Sequence, residues 1–233
     1  MKKILIIIGM TIGQYCSAQT ATIMASSKGI APIPFFGLPD PAGMVFLKTN
    51  ITKNLEFSPD ATFNMRTGEG WFMDTWLRWN QPIDSAGKWI ATVGFDWSLF
   101  FQEYSAGGNR ISQSVTYPTY QAKLRFIPNK KNAFKIDLWY TYPIQKEYGV
   151  KGTYVAFVYT RTQEMRTFTF EGNCNIFSLN YSDGTVGCAA SYDVACFHNK
   201  TGLFISSQFL HSLTVKNMVP SANVSIGITR KLF

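Results

Sequence analysis

The sequence predicts an all-β protein, a closed antiparallel transmembrane β-barrel of about ten strands, and three observations carry the prediction. An export segment at the amino terminus is followed by no second apolar run of membrane-helix length. Apolar and polar residues alternate with period two through most of the body. Several alternating segments reach about ten residues, the length a tilted strand needs to cross a bilayer, where strands of globular proteins average about five or six.

At the amino terminus, Lys2 and Lys3 precede an apolar run from Ile4 to Ile12 and then Cys16-Ser17-Ala18. This is the pattern of a secretory signal peptide spanning residues 1–18, with small residues suiting cleavage before Gln19. Tyr15 stands where a lipoprotein attachment site wants a small residue, so Cys16 is not read as one. The segment Gln19–Gly43 carries Pro32, Pro34, Pro39 and Pro41, which disfavour a strand. It is expected to be a Pro-rich tail, or a plug entering the barrel mouth from the periplasm, with the barrel itself over residues 44–233.

The alternation is cleanest in Trp89–Gln102, where Trp89, Ala91, Val93, Phe95, Trp97, Leu99 and Phe101 form one face. Thr92, Gly94, Asp96, Ser98 and Gln102 form the other. It recurs in Asn54–Met65, Tyr120–Phe126 and Phe134–Tyr142. Since a strand sends successive side chains to opposite faces, each segment has one apolar and one polar side. Mid-strand charges such as Asp74 with Arg78, or Lys135 with Asp137, suit a polar lumen behind an apolar exterior. Trp71, Trp79 and Trp89 at segment ends suit interfacial girdles.

Ten strands are expected near 54–65, 71–81, 89–102, 119–128, 133–143, 153–161, 166–181, 185–197, 202–214 and 222–233, with eight or twelve as alternative counts. Periplasmic turns are short and outer loops longer in such barrels. The inner turns are therefore Pro82–Lys88, Asn129–Asn132, Thr162–Met165 and His198–Thr201, and the outer loops include Glu103–Pro118 and Gln145–Gly152. Between Phe168 and Tyr181 the apolar residues change phase, which implies a β-bulge or turn at Gly172–Asn175. Met44–Ile51 is a further strand candidate.

The final segment, Asn223-Val-Ser-Ile-Gly-Ile-Thr-Arg-Lys-Leu-Phe233, resembles the closing strand of Gram-negative outer-membrane barrel proteins. Phe233 departs from the parity of Val224, Ile226 and Ile228. The resemblance implies transit through the periplasm, insertion by the barrel assembly machinery and residence in outer-membrane lipid.

Without Lys2 and Lys3 the chain holds 20 basic and 14 acidic residues, a balance of +6 with no run of like charge, and no nucleic-acid partner is expected. Cys174, Cys188 and Cys196 have no CxxC spacing, so neither a zinc site nor a disulfide scaffold is expected, although one bridge is open to them. No nucleotide or metal motif is present, and no cofactor is expected. A lipid-modifying or hydrolytic barrel would need a catalytic histidine. His198 falls in a turn, and His211 shares the lipid-facing parity of Phe209 and Leu213 while adjacent Ser212 points the other way. Glu69, Glu103 and Asp183 are candidate rim acids, with Asp183-Gly184 explained more simply as turn chemistry.

The candidate functional residues are those on the polar face: Asp74, Arg78, Asp96, Lys123, Arg125, Lys135, Asp137 and Asp193, with Trp76 and Trp139. They point to a non-enzymatic barrel acting as a narrow channel or uptake component for small polar solutes. The alternatives are a structural or surface-interaction barrel without transport, and a lipid-modifying enzyme using His211.

Overall fold

The computed structural model describes residues 17–27, 29–30, 37–38, 40–106, 109–145, 151–181, 186–214 and 221–231. Its strands are β1 (Ser17–Ser26), β2 (Gly29–Ile30), β3 (Gly37–Leu38), β4 (Ala42–Asn50), β5 (Leu55–Asn64), β6 (Gly70–Pro82) and β7 (Trp89–Ala106). They continue as β8 (Asn109–Asn129), β9 (Asn132–Thr141), β10 (Gly152–Glu164), β11 (Phe168–Tyr181), β12 (Val186–His198), β13 (Leu203–Ser212) and β14 (Ser221–Lys231). All but β2 and β3 form one closed antiparallel barrel in which each strand pairs with its sequence neighbour and β1 joins β14. Closure leaves no sheet edge unpaired, as a backbone in lipid requires.

The barrel has twelve strands, not ten, and the two additions are β1 and β4. β4 matches the further strand candidate over Met44–Ile51. β1 lies where the sequence suggested a signal-peptide end and a strandless tail. Thr20, Thr22, Met24 and Ser26 turn to one side and Ala21, Ile23 and Ala25 to the other, an alternation of small and hydroxylated residues with little hydropathy contrast. Ile23 pairs with Ile228 of β14 and with Val45 of β4, so β1 is the closing strand. Residues 1–16, and with them most of the expected signal peptide, lie outside the described residues.

Both described chain ends stand at the same barrel end as the short turns 51–54, 83–88, 130–131, 165–167 and 199–202. The Pro-rich connection from β1 to β4 leaves from the opposite, external end, and not from the periplasmic end where it was expected. Residues 28, 31–36 and 39 of that connection are outside the described residues, and the plug expectation falls on them. In the turn after β12, Gly202 has a φ of 72°, and a Cβ there would overlap the Thr229 carbonyl oxygen. Only glycine meets both demands.

Two other expectations change. Glu103–Pro118 is a hairpin rather than a loop, because β7 and β8 stay paired out to Ala106↔Asn109. β11 carries no bulge and keeps an unbroken register with both β10 and β12. The phase change in its sequence reflects Phe177 and Leu179 turning into the barrel, where they are buried. Pro59, which has no N–H to donate, sits where the β4–β5 ladder opens between Phe46↔Asp60 and Thr49↔Phe57.

The exterior is apolar. Val93 and Ile226 are each 61 % exposed, and Leu77, Ile136, Leu138, Phe157, Val194, Ile205 and Phe209 share that outward face. Lipid, not a protein core, covers such residues. Trp89, Phe126, Phe134 and Tyr159 stand directly opposite one another across β7–β10, with ring centroids 4.4, 6.4 and 5.1 Å apart along the row. A second aromatic row, Phe95, Tyr120 and Tyr140, crosses β7–β9 toward the external end. The rows are six residues apart on β8, or about 20 Å along the strand, which at a tilt of about 40° is roughly 15 Å along the barrel axis, inside an apolar band of about 25 Å.

Candidate functional site: the barrel interior

Parity decides which side chains enter the barrel. In β6, Phe72, Asp74, Trp76 and Arg78 turn inward while Met73, Leu77 and Trp79 face out. The same rule brings in Asp96 from β7, Lys123 and Arg125 from β8, Lys135, Asp137 and Trp139 from β9, and Asp193 from β12. Asp74, Asp96 and Asp137 are only 2 %, 1 % and 3 % exposed, and Trp76 is 4 % exposed. Nine of the ten polar-face candidates nominated from the sequence come from β6–β9, and Asp193 stands apart on β12.

On that side of the interior the polar groups form one chain across the sheet. Lys48 Nζ lies 2.7 Å from Glu56 Oε2, and Arg78 Nη1 lies 3.5 Å from Glu56 Oε1. Arg78 Nε donates to Gln121 Oε1 at 2.9 Å, and Gln121 Nε2 donates to Asp137 Oδ1 at 2.8 Å. Lys135 Nζ completes it, 3.4 Å from Asp137 Oδ2. The chain crosses β7 at Gly94, where a Cβ would lie 3.0 Å from Gln121 Oε1 and 3.2 Å from Arg78 Cγ. The missing side chain is what lets Arg78 and Gln121 meet.

Aromatic rings continue the barrier. The Arg78 guanidinium carbon sits 4.1 Å from the centroid of Trp76, close enough for a cation–π contact. Trp76 is 5.1 Å from Trp139, which is 5.1 Å from Tyr154, which is 5.8 Å from Phe177. β7 and β8 separate Trp76 from Trp139, so the two rings meet inside the barrel over the intervening strands. Trp139 Nε1 donates to Asp137 Oδ1 at 2.6 Å, so the ring is held in place as well as packed.

Toward the external side, Asp60 and Asp74 stand directly opposite on β5 and β6. Asp96 Oδ1 accepts the Thr75 backbone N–H at 2.7 Å, and the Ser98 hydroxyl donates to its other oxygen. The Thr75 hydroxyl in turn donates to the Trp97 carbonyl at 3.0 Å, so a carboxylate is built into the β6–β7 ladder. Among the described residues no group of three His, Cys, Asp or Glu converges in a metal-binding arrangement.

The facing wall is mostly neutral. Ser26 Oγ donates to Asn223 Oδ1 at 2.7 Å, Ser225 Oγ to Ser26 Oγ at 3.1 Å, and Thr160 Oγ1 to Asn173 Oδ1 at 2.7 Å. Asn175 Nδ2 donates to Ser191 Oγ at 2.8 Å and to Asp193 Oδ2 at 3.0 Å.

At the periplasmic end the interior opens into a cavity of about 480 Å³, lined by residues of β8–β12 and the β8–β9 turn, among them Lys123, Arg125, Lys130, Lys131 and Lys135. Of the histidines, His211 lies exposed on the outer face, and His198 Nδ1 is 2.8 Å from Thr201 Oγ1 in its turn. Glu69 accepts from the Thr67 hydroxyl at 2.9 Å in an exposed turn. Asp183 and the Glu103 side chain are outside the described residues.

Sequence reasoning missed Lys48, Glu56, Asp60, Gln121, Tyr154 and Phe177 as interior residues. Parity was the signal for Glu56, Asp60 and Gln121, which stand on the polar faces of their segments. Tyr154 and Phe177 look lipid-facing by type, and only the phase change in β11 hinted otherwise.

No protein-family model matches the sequence, and no curated protein matches it. Solved structures do match. A KdgM porin superposes with a TM-score of 0.61 at 6 % identity, covering 92 % of this chain and 99 % of its own. A NanC porin gives 0.61 at 10 %, covering 91 % and 100 %. The chain has the fold of these outer-membrane β-barrels. An outer membrane channel from Pseudomonas putida F1 shares the fold, with a TM-score of 0.58 at 9 % identity, covering 94 % of this chain and 98 % of its own. The apolar exterior of this chain suits that fold to a lipid surrounding.

Proposed function

We propose that the barrel is a narrow channel or uptake component for small polar solutes. The observation that carries this is a polar vestibule of about 480 Å³ inside the periplasmic end of the barrel. Structural similarity to barrels described as porins and a channel supports the reading. Export through residues 1–18 and insertion by the assembly machinery belong to it. Liposome swelling with refolded protein tests it. Small polar solutes should swell the vesicles and larger ones should not, while no swelling at any solute size would count against transport.

A second reading, a surface-interaction barrel, is favoured by the β7–β8 hairpin. Its last pairs, from Glu103↔Ser112 to Ala106↔Asn109, lie beyond the pairing of β6, which stops at Phe72↔Phe100, and of β9, which stops at Thr119↔Thr141. Shortening that hairpin should abolish adhesion or partner binding under this reading and leave swelling intact.

A further inference from the structure

The charges of the periplasmic vestibule do not balance within the protein. Arg125 and Lys135 stand directly opposite on β8 and β9, both turned into the cavity. Like charges placed directly opposite on one face are destabilising. Lys123, two residues along β8, faces Asp137. That carboxylate is already shared, for its Oδ1 accepts both Gln121 Nε2 and Trp139 Nε1, and Lys135 Nζ lies 3.4 Å from Oδ2. Lys123 and Arg125 make no hydrogen bond or ion pair among the described residues. Across the cavity stand two carboxylates, Asp193, whose Oδ2 accepts from Asn175 at 3.0 Å, and Glu171, which accepts from Asn173 at 3.4 Å, fewer than the basic residues that line it. Lys130 and Lys131 add two more cations at the rim.

We infer that Lys123, Arg125 and Lys135 form an anion subsite in the periplasmic vestibule, and that the solute it takes is a small molecule bearing a carboxylate or phosphate group. An anion lying between Arg125 and Lys135 turns their repulsion into attraction. It accepts the planar fork of an arginine together with the point charges of two lysines, a pairing suited to either oxyanion. The cavity is within the size range of small-molecule sites. The inference takes its transport role from the channel reading, but the binding itself stands independently of conduction.

Titration calorimetry of the refolded full-length barrel with inorganic phosphate, and separately with citrate, tests the binding. R125Q and the double variant K123Q/R125Q should weaken both by roughly tenfold or more, a change of about 1.4 kcal/mol per decade, while K200Q, in the turn after β12, should leave both unchanged. Tighter citrate than phosphate binding would assign the site to carboxylates, and the reverse to phosphates. Because R125Q removes a like-charge pair, its urea midpoint without added anion should stay level or rise, which separates lost binding from lost folding. Equal binding to wild type and the double variant, or equal weakening by K200Q, would overturn the subsite. In planar bilayers under a KCl gradient, the wild-type reversal potential should show anion preference that R125Q reduces. Binding without conductance would sink the channel reading and spare the subsite, whereas conductance without anion preference or binding would do the opposite.

Discussion

The two walls of the interior are built from different chemistry on the same scaffold. From β5 to β9 the inward positions carry Glu56, Asp60, Asp74, Arg78, Asp96, Lys123, Arg125, Lys135 and Asp137, packed with Trp76 and Trp139. From β10 through β14 to β1 they carry a buried apolar cluster of Ala156, Val158, Phe177, Ala189 and Leu210, together with hydroxyl and amide groups paired locally as Thr160–Asn173, Asn175–Ser191 and Ser26–Asn223. On the charged wall the groups are long and their bonds span several strands, so each holds others in place. On the neutral wall the groups are short and bond to near neighbours. Both walls are tightly packed, for Trp76 and Asp96 on one and Phe177 and Ser191 on the other are all 4 % exposed or less.

If the charged wall is a network, Arg78→Leu should be the most costly change within it. It leaves Gln121 Oε1 without its donor and Glu56 with Lys48 as its remaining cation, and breaking a buried pair from one side costs about 3–5 kcal/mol. Urea unfolding of the refolded protein in lipid would read this, and a loss under about 1 kcal/mol would mean the charges are independently solvated. Leu138→Arg, on the outward face of the same wall, should cost about 2–4 kcal/mol by placing a charge in hydrocarbon. Gly94→Val should cost about 1–3 kcal/mol, because the added branch meets Gln121 and Arg78. An unaltered midpoint there would show that Arg78 and Gln121 do not depend on the gap. Ser225→Ala, on the neutral wall, should cost about 1 kcal/mol or less, the loss of one local hydrogen bond. A larger loss for Ser225→Ala than for Arg78→Leu would erase the distinction between the walls.

Much of this architecture was legible from alternation. The faces of Trp89–Gln102 and Asn54–Met65 correspond to the outward and inward sides of β7 and β5, because large apolar residues alternate there with polar ones. β1 was hidden because Thr20, Thr22 and Ser26 face inward against Ala21 and Ala25, giving little contrast, and because it overlaps the polar end of an export segment. Glu103–Pro118 read as a loop since Gly107-Gly108-Asn109 marks a turn, and nothing local says how far pairing continues on either side. Parity could nominate Arg78 and Asp137, but not their connection through Gln121, which depends on register across β6–β9 and on the absent side chain at Gly94. The inward turn of Phe177 ran against residue type, because its neighbours there are Tyr154 and other interior residues rather than lipid.

Single-channel recording of wild type beside Trp139→Ala asks whether the packed Trp76–Trp139 pair limits passage through the barrel. The account predicts small, discrete conductance steps for wild type and larger steps for the variant. An absence of steps in both proteins, with each correctly inserted, would contradict it.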